Sequence, residues 1–380
     1  MSLSHSPKIV TNGLVFAYDM GNGKKSWKGK PTTNLYADGD YASKSIHPVQ
    51  NGPWSFPSGV TDPNGNQAIR IDQDGTTSYH GRDITVTIGE TYTTSGWIYA
   101  STDSDTTALR IAGEQGFAPD ATYDLSKKGT WQYVSATGVA ATTNARILAY
   151  QQSNMTTGYC LFGSIQFEQG YNSPFTNSTR SNTEAIVDWT GNNTITANSL
   201  TYNSDGTFSF NGSSDYITAP LSIGTDPLVT VNQWIKRSAS FSNAGYWGLG
   251  GGAGNNGING YTSVTDKIGW DLWGQTTFHT GQDYPLDTWV NVCWVKTATT
   301  FTTSTLKVYI NGVEYPLTTT VRNNSSTVNI TSGIAVGRLT SGVAAYHAPG
   351  DVEVTQVYNR ALSAAEVKQN FSALRGRYGI

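Results

Sequence analysis

Seven glutamates are spread along the chain, at 90, 114, 168, 184, 314, 353 and 366. Retaining glycoside hydrolysis needs two carboxyl groups about 5 Å apart, most simply acids two residues apart on one strand. The nearest arrangement is Asp351-Val352-Glu353, an isolated pair of the kind that exposed surfaces carry. Trp270-Asp271-Leu272-Trp273 supplies one carboxylate. The histidines at 5, 47, 80, 279 and 347 show neither metal-site spacing nor a Ser or Cys partner pattern, and they read as surface or hydrogen-bonded residues. The run GLGGGAGNNGING at 248–260 lacks the Lys-Ser/Thr of a phosphate loop and opens no helix, so it reads as a flexible loop. No enzyme is expected from these residues, although two acids brought together from separate strands would make a hydrolase.

Aromatic rings offer a different chemistry. The apolar face of a pyranose stacks on Trp or Tyr, while neutral amides and hydroxyls bond its rim. Tyr246, Trp247 and Tyr261 flank the glycine run, which leads on to Trp270 and Trp273. The last two are three residues apart, so on a regular strand they point to opposite faces and one belongs in a core. For each tryptophan a core position competes with a sugar platform, because Trp is buried on average. A second candidate surface, Trp54 and Tyr79 with Tyr41, lies in the irregular text before residue 80. Trp97 and Trp131 read as core.

The elements that must position these residues are strands. Short runs broken by turn residues at roughly ten-residue spacing fit a sandwich or jelly roll and not βαβ units. Strands are expected at 67–72, 82–89, 91–101, 107–113, 130–139, 145–152 and 159–170. A second set follows at 207–220, 229–238, 267–274, 288–297, 304–317, 333–339 and 351–362. Ser363-Ala-Ala-Glu366 is a capping box, with Val367, Phe371 and Leu374 following at helical spacing, and predicts one short C-terminal helix.

Charged residues are 13% of the chain and the formal net charge is −3. That balance excludes a general nucleic-acid binder, which needs a clear cationic excess. Lys24, Lys25, Lys28 and Lys30 form a basic run that reads as a solvated linker. Cys160 and Cys293 sit in apolar runs and read as buried free thiols. No apolar leader opens the sequence and no 18-residue apolar run occurs, so neither secretion nor membrane insertion is expected.

FNGSSDYI, TWVNVCWV, LKVYINGVEY, IAVGR and VYNRALSAAEV, in that order, resemble the concanavalin A-like laminin-G domains of many tailed-phage structural proteins. That family opens with a GLV strand, an Asp and a Gly-Asn turn, followed by a Trp, an Asp and a Gly-Asn pair. The first half of this opening stands at 13–27 and the second at Asp188-Trp189-Thr190-Gly191-Asn192-Asn193. The text between, from Pro31-Thr32-Thr33-Asn34-Leu35 through TYTTSGWIYAS and GTWQYVSATG, resembles jelly-roll carbohydrate-binding modules.

These resemblances imply an all-β protein of two sandwich or jelly-roll domains with one short C-terminal helix. Residues 1–30 would supply the first strand of a laminin-G-like sandwich, 31–180 an inserted jelly roll, and 181–380 the rest. They imply a non-enzymatic structural protein on the virion exterior, in a capsid decoration or a fibre. Its partners would be other virion proteins and host surface glycans, in many copies or as a homo-oligomer. The alternative is a dedicated glycan-binding adhesin. No cofactor is expected beyond a structural calcium ion, for which Asp19, Asp38, Asp40, Asp72 and Asp74 are the short-spaced candidates against ordinary turn aspartates.

Overall fold

The computed structural model describes the chain except residues 1–6, 24, 73–74, 153–154, 204–206, 242–243, 252–256, 263–264, 273–275, 322–327 and 340–345. It divides into two compact units, one of Met1–Gly29 with Asn182–Ile380 and one of Lys30–Ser181.

The first unit has a concanavalin A-like fold, in which two antiparallel sheets enclose one large core. One sheet runs in the order Thr201–Tyr202, Phe208–Asn211, Pro349–Tyr358, Val229–Arg237, Trp289–Lys296, Leu306–Ile310 and Val313–Tyr315. Its central members carry the buried amides Asn232, Gln233 and Asn291 among core aliphatics. Asn291 Nδ2 donates to Asn232 Oδ1, and Asn232 Nδ2 to Gln356 Oε1, so a polar row runs across three strands. Leu14–Asp19 lies antiparallel to the last strand, Tyr18 opposite Thr355. Asp188 fastens it: Oδ1 accepts from the backbone N–H of Ala17 at 2.9 Å, and Oδ2 accepts from Thr190 and Asn193. The hairpin at Asn311-Gly312 has positive φ at both residues (50° and 78°), the twist-matched turn that this dipeptide favours.

The second sheet runs Thr196–Asn198, Tyr216–Ala219, Ile334–Val336, Ala244–Gly250, Gly257–Thr262, Lys267–Leu272, Thr276–Asp283 and Thr318–Val321. The two ends of the glycine run expected to be a flexible loop, 248–250 and 257–260, are paired in strands, while 252–256 lie outside the described residues. Leu249 faces Ile258 across a hairpin, and both belong to the core. Glycine serves here because the backbone is close-packed: a Cβ on Gly260 would stand 2.0 Å from the Trp247 indole nitrogen.

The closing helix, Ala364–Leu374, is capped as the sequence requires, with Ser363 and Glu366 bonding each other's backbone. The C-terminal segment covers the outer face of the first sheet. Trp234 stacks on Tyr378 at 4.1 Å and on Phe371 at 5.8 Å, and is fully buried.

The Lys30–Ser181 unit is a jelly-roll-like pair of five-stranded antiparallel sheets around its own core. One sheet runs Gln132–Val139, Thr91–Ala100, Tyr159–Gln169, Ile69–Asp72 and Trp54–Ser55. The other runs Val49–Asn51, Ser78–Thr85, Asn144–Gln152, Ala108–Glu114 and Ala121–Thr122. Cys160 and Cys293 are buried free thiols, and burial pushes Cys160 up to about 12, which leaves it protonated and inert.

Candidate functional site

In the first sheet of the Lys30–Ser181 unit, alternation splits the aromatic residues from the aliphatic ones. Ile98, Ala100, Ile69, Ile71 and Phe162 are fully buried in the core. Their neighbours Trp97, Tyr99, Tyr159 and Arg70 point the other way and keep part of their surface in solvent. Trp131 and Tyr133 continue the same outward face on the next strand, and Tyr133 is 38% exposed. The expectation that Trp97 and Trp131 are core residues is therefore corrected: the small, apolar Ile98 and Ala100 take the inside, and the large rings stand outside.

The outward rings fall into two contacting groups on one face of the sheet. Tyr133 pairs with Trp97 across the strands, ring centroids 5.3 Å apart and edge to face. Trp131 lies 5.6 Å from Tyr99, and Tyr99 stacks on Tyr159 at 6.0 Å. The Arg70 guanidinium closes the row 4.0 Å over the Tyr159 ring, held there by Asp72, which accepts from its Nε at 2.8 Å. Opposite Trp97 is Gly163, where a Cβ would meet the Asp62 carboxylate at 2.6 Å, so the turn at Asp62 walls one side of the indole. Tyr133 donates its hydroxyl proton to Asn172 Oδ1 at 2.9 Å, which fixes the ring on the other side.

Two of the acids near the face are committed. Asp72 pairs with Arg70, and Asp62 accepts from Ser164 and from the N–H groups of Asn64 and Asn66. What the face offers is apolar ring surface edged by an amide and a guanidinium, the chemistry of stacking and not of proton transfer. A cleft of about 720 Å³ in this unit, beside Thr85–Thr87 and Tyr92, is lined by five threonines among other residues, and its Glu90 carboxylate already accepts from Gln169.

The residues singled out from sequence fall elsewhere. Tyr246, Trp247 and Trp270 are fully buried in the first unit. Trp247 sits edge-on between Trp270 and Trp294, each 5.5 Å away, and the Tyr246 hydroxyl donates to the Pro349 carbonyl at 3.0 Å. A pairing irregularity between Gly245 and Gly248 turns both Tyr246 and Trp247 away from solvent, so neither can meet a sugar. Trp54 is 8% exposed, wedged between His80 and Phe162. Tyr41 is buried beside His47 and His80. Tyr79 is half-buried and stacked on Tyr150, which in turn lies under the Arg110 guanidinium at 4.2 Å. Tyr261 is half-buried, its ring 6.2 Å from Tyr346. Trp273 lies outside the described residues.

The acids behave likewise. Asp351 pairs with Lys236 at 2.8 Å, and the Glu353 backbone anchors the first strand through the Met20 N–H. Asp271 is 6% exposed and accepts from Asn259 and Thr277, and burial lifts its carboxyl to about 6. Of the calcium candidates, Asp19 pairs with Arg377, Asp38 accepts from Ser43, Asp40 accepts from the Ala42 N–H, and Asp72 holds Arg70. Asp74 lies outside the described residues. Among the described residues no three metal-ligating side chains come together. In the basic run, Lys30 pairs with the buried Glu168 at 3.2 Å and Lys25 lies 4.9 Å over Trp189, while Lys24 is outside the described residues.

A laminin-G family model, described as the concanavalin A-like lectin/glucanases superfamily, matches residues 211–368. No curated protein matches the chain. Among solved structures, domain 4 of AbnA, an extracellular arabinanase from Geobacillus stearothermophilus in complex with arabinotriose, is 18% identical over 48% of this chain and 91% of its own, with a TM-score of 0.34. The carbohydrate-binding module of the Ruminococcus gnavus IT-sialidase, bound to α2,3-sialyllactose, is 18% identical over 37% and 81%, TM-score 0.29. A pentraxin from Limulus polyphemus is 15% identical over 46% and 80%, TM-score 0.32. At these scores the likenesses bear on neither ligand nor activity.

Proposed function

We propose that this chain is a non-catalytic glycan-binding structural protein displayed on the exterior of a tailed-phage virion, as a capsid decoration or part of a fibre. The observation that supports glycan binding is the outward aromatic face of Trp97, Tyr99, Trp131, Tyr133 and Tyr159. Large rings left partly in solvent cost hydrophobic free energy, and several of them on one sheet face suit a binding surface. Ring faces suit pyranose faces, and the lectin/glucanases family model matched by residues 211–368 of the first unit is consistent with such a ligand. The virion setting rests on the resemblance of the C-terminal motifs to phage structural domains. There, many copies would turn a weak contact into useful adhesion.

The purified chain is tested against a panel of bacterial envelope polysaccharides, with Trp131→Ala and Tyr133→Ala alongside. Stacking on one ring is worth about 0.5–1.5 kcal/mol, so each variant should weaken binding by roughly three- to tenfold. Retention of full affinity in both variants rejects the face as the site. Antibody labelling of particles that carry the protein tests the virion reading, and labelling confined to disrupted particles overturns it.

A further inference from the structure

We propose that the first unit carries a second, separate ligand site, specific for a carboxylate-bearing sugar residue, in the hollow beside Arg338. The hollow lies on the outward side of the second sheet and measures about 260 Å³. Its floor is small: Thr196, Thr218 and Ala335 are register neighbours on three adjacent strands, and Gly250 continues the surface. The residues alternating with them, Ile217, Ile334, Val336 and Leu249, are buried in the core, so these small side chains face outward. A hollow of this size falls below the roughly 300–1,000 Å³ of pockets for drug-sized ligands, and admits one sugar ring and not a buried chain.

Arg338 supplies the charge. Its guanidinium lies 3.5 Å over the Tyr216 ring, which orients the plane without neutralising it. Its Nε is buried with no hydrogen-bond partner. Among the described residues no carboxylate pairs with it, in contrast to Arg70, Arg110, Arg146, Arg237, Arg360 and Arg377, each of which has an acid within ion-pair distance. A buried, unsatisfied guanidinium nitrogen is costly, and a ligand oxyanion that accepts from it removes the cost. Gly337, whose φ of 83° breaks the strand's alternation, lets Arg338 leave the core side on which Val336 lies.

A single cation among neutral hydroxyls fits a monoanion. A planar carboxylate meets the guanidinium fork with two parallel hydrogen bonds, whereas a phosphate monoester brings a charge of about −1.5 to −2 at neutral pH that one arginine does not balance. The hydroxyls of Thr196, Thr218 and Ser332 are then placed to bond the ring oxygens of the same residue.

The test titrates the full chain with oligogalacturonate and with a sialyl oligosaccharide, using glucose 6-phosphate and a neutral dextran oligomer as comparison ligands. Carboxylated sugars should bind with an affinity that falls as salt rises. Arg338→Met should lower it about tenfold or more, the loss of a bidentate charge-assisted pair. Thr218→Trp, which fills the hollow from outside while leaving Arg338 in place, should abolish it. Trp131→Ala should leave it unchanged, so that this site and the aromatic face succeed or fail separately. Equal binding in Arg338→Met, tighter binding of the phosphate ester, or no carboxylate-dependent binding by the unsubstituted chain each overturns the proposal.

Discussion

Trp234, Trp247, Trp270 and Trp294 of the first unit are fully enclosed, whereas Trp97 and Trp131 of the Lys30–Ser181 unit stand on the outside of a sheet. The first four fill the space between two eight-stranded sheets, or beneath the C-terminal segment in the case of Trp234, where large volumes are needed. The smaller unit buries Trp54 among Ile, Ala, Phe and Tyr side chains and leaves Trp97 and Trp131 on the outside of a sheet. A tryptophan is thus no sign of a site in itself. The side of the strand on which it falls, and what lies against that side, decide its role.

The largest test of that contrast is a pair of substitutions. Trp247→Ala should cost about 3–5 kcal/mol, because a fully packed indole leaves a cavity, and should lower the unfolding temperature of the first unit. Trp131→Ala should cost well under that, with its main effect on glycan binding. Amide hydrogen exchange, read separately on the two units, distinguishes them, and equal destabilisation by both would erase the contrast.

The units should also respond oppositely to acid. His47 and His80 are buried, their rings stacked 4.5 Å apart, and the His47 backbone N–H donates to His80 Nε2. Burial, aided by Arg82, holds their pKa values down, to about 4 and about 3. A depressed histidine pKa means that the neutral form stabilises the fold. That stabilisation is complete above about pH 6.5 and is lost as pH falls toward 4. Asp271 in the first unit is shifted the other way, to about 6, so its contribution is complete below about pH 4 and is lost as pH rises through 6. Between pH 6 and 4, acidification should weaken the Lys30–Ser181 unit through His47 and His80 and strengthen the other through Asp271, each group contributing at most ~1.4 kcal/mol per pH unit. Hydrogen exchange at pH 6.5, 5 and 4 measures this. Asp271→Asn should flatten the response of the first unit alone.

The smallest expected effect concerns the closing helix. Ser363→Ala removes the bond to the Glu366 N–H and should cost about 1 kcal/mol. Because Phe371 of this helix and Tyr378 just beyond it cover Trp234, fluorescence of that indole should shift toward a more exposed environment before the first unit unfolds.

Much of the architecture could be read locally. Asn311-Gly312 and the Ser363 capping box act through their own backbone neighbours, and the alternation in Thr91–Ala100 marks a strand wherever it packs. The platform was harder to read. In Trp97-Ile98-Tyr99-Ala100 both faces are apolar, so periodicity shows that two faces exist without saying which is inside. The signal that could have found it is the coincidence of Trp97/Tyr99 with Trp131/Tyr133, two strands offering the same pairing of large rings at the same spacing. The glycine run misled for a related reason: Gly248–Gly250 and Gly257–Gly260 have little strand propensity, and cross-strand pairing overrides it.

The all-β class, the tight turns, the capped closing helix and the scarcity of charge are legible along the chain alone. Each follows from interactions a few residues long. Which rings face water, that Asp188 fastens Leu14–Asp19, and that Arg338 lies over Tyr216 without an acid partner were decided only by tertiary structure. Those outcomes depend on which strand lies beside which, and a two-residue period is silent about the partner on either face.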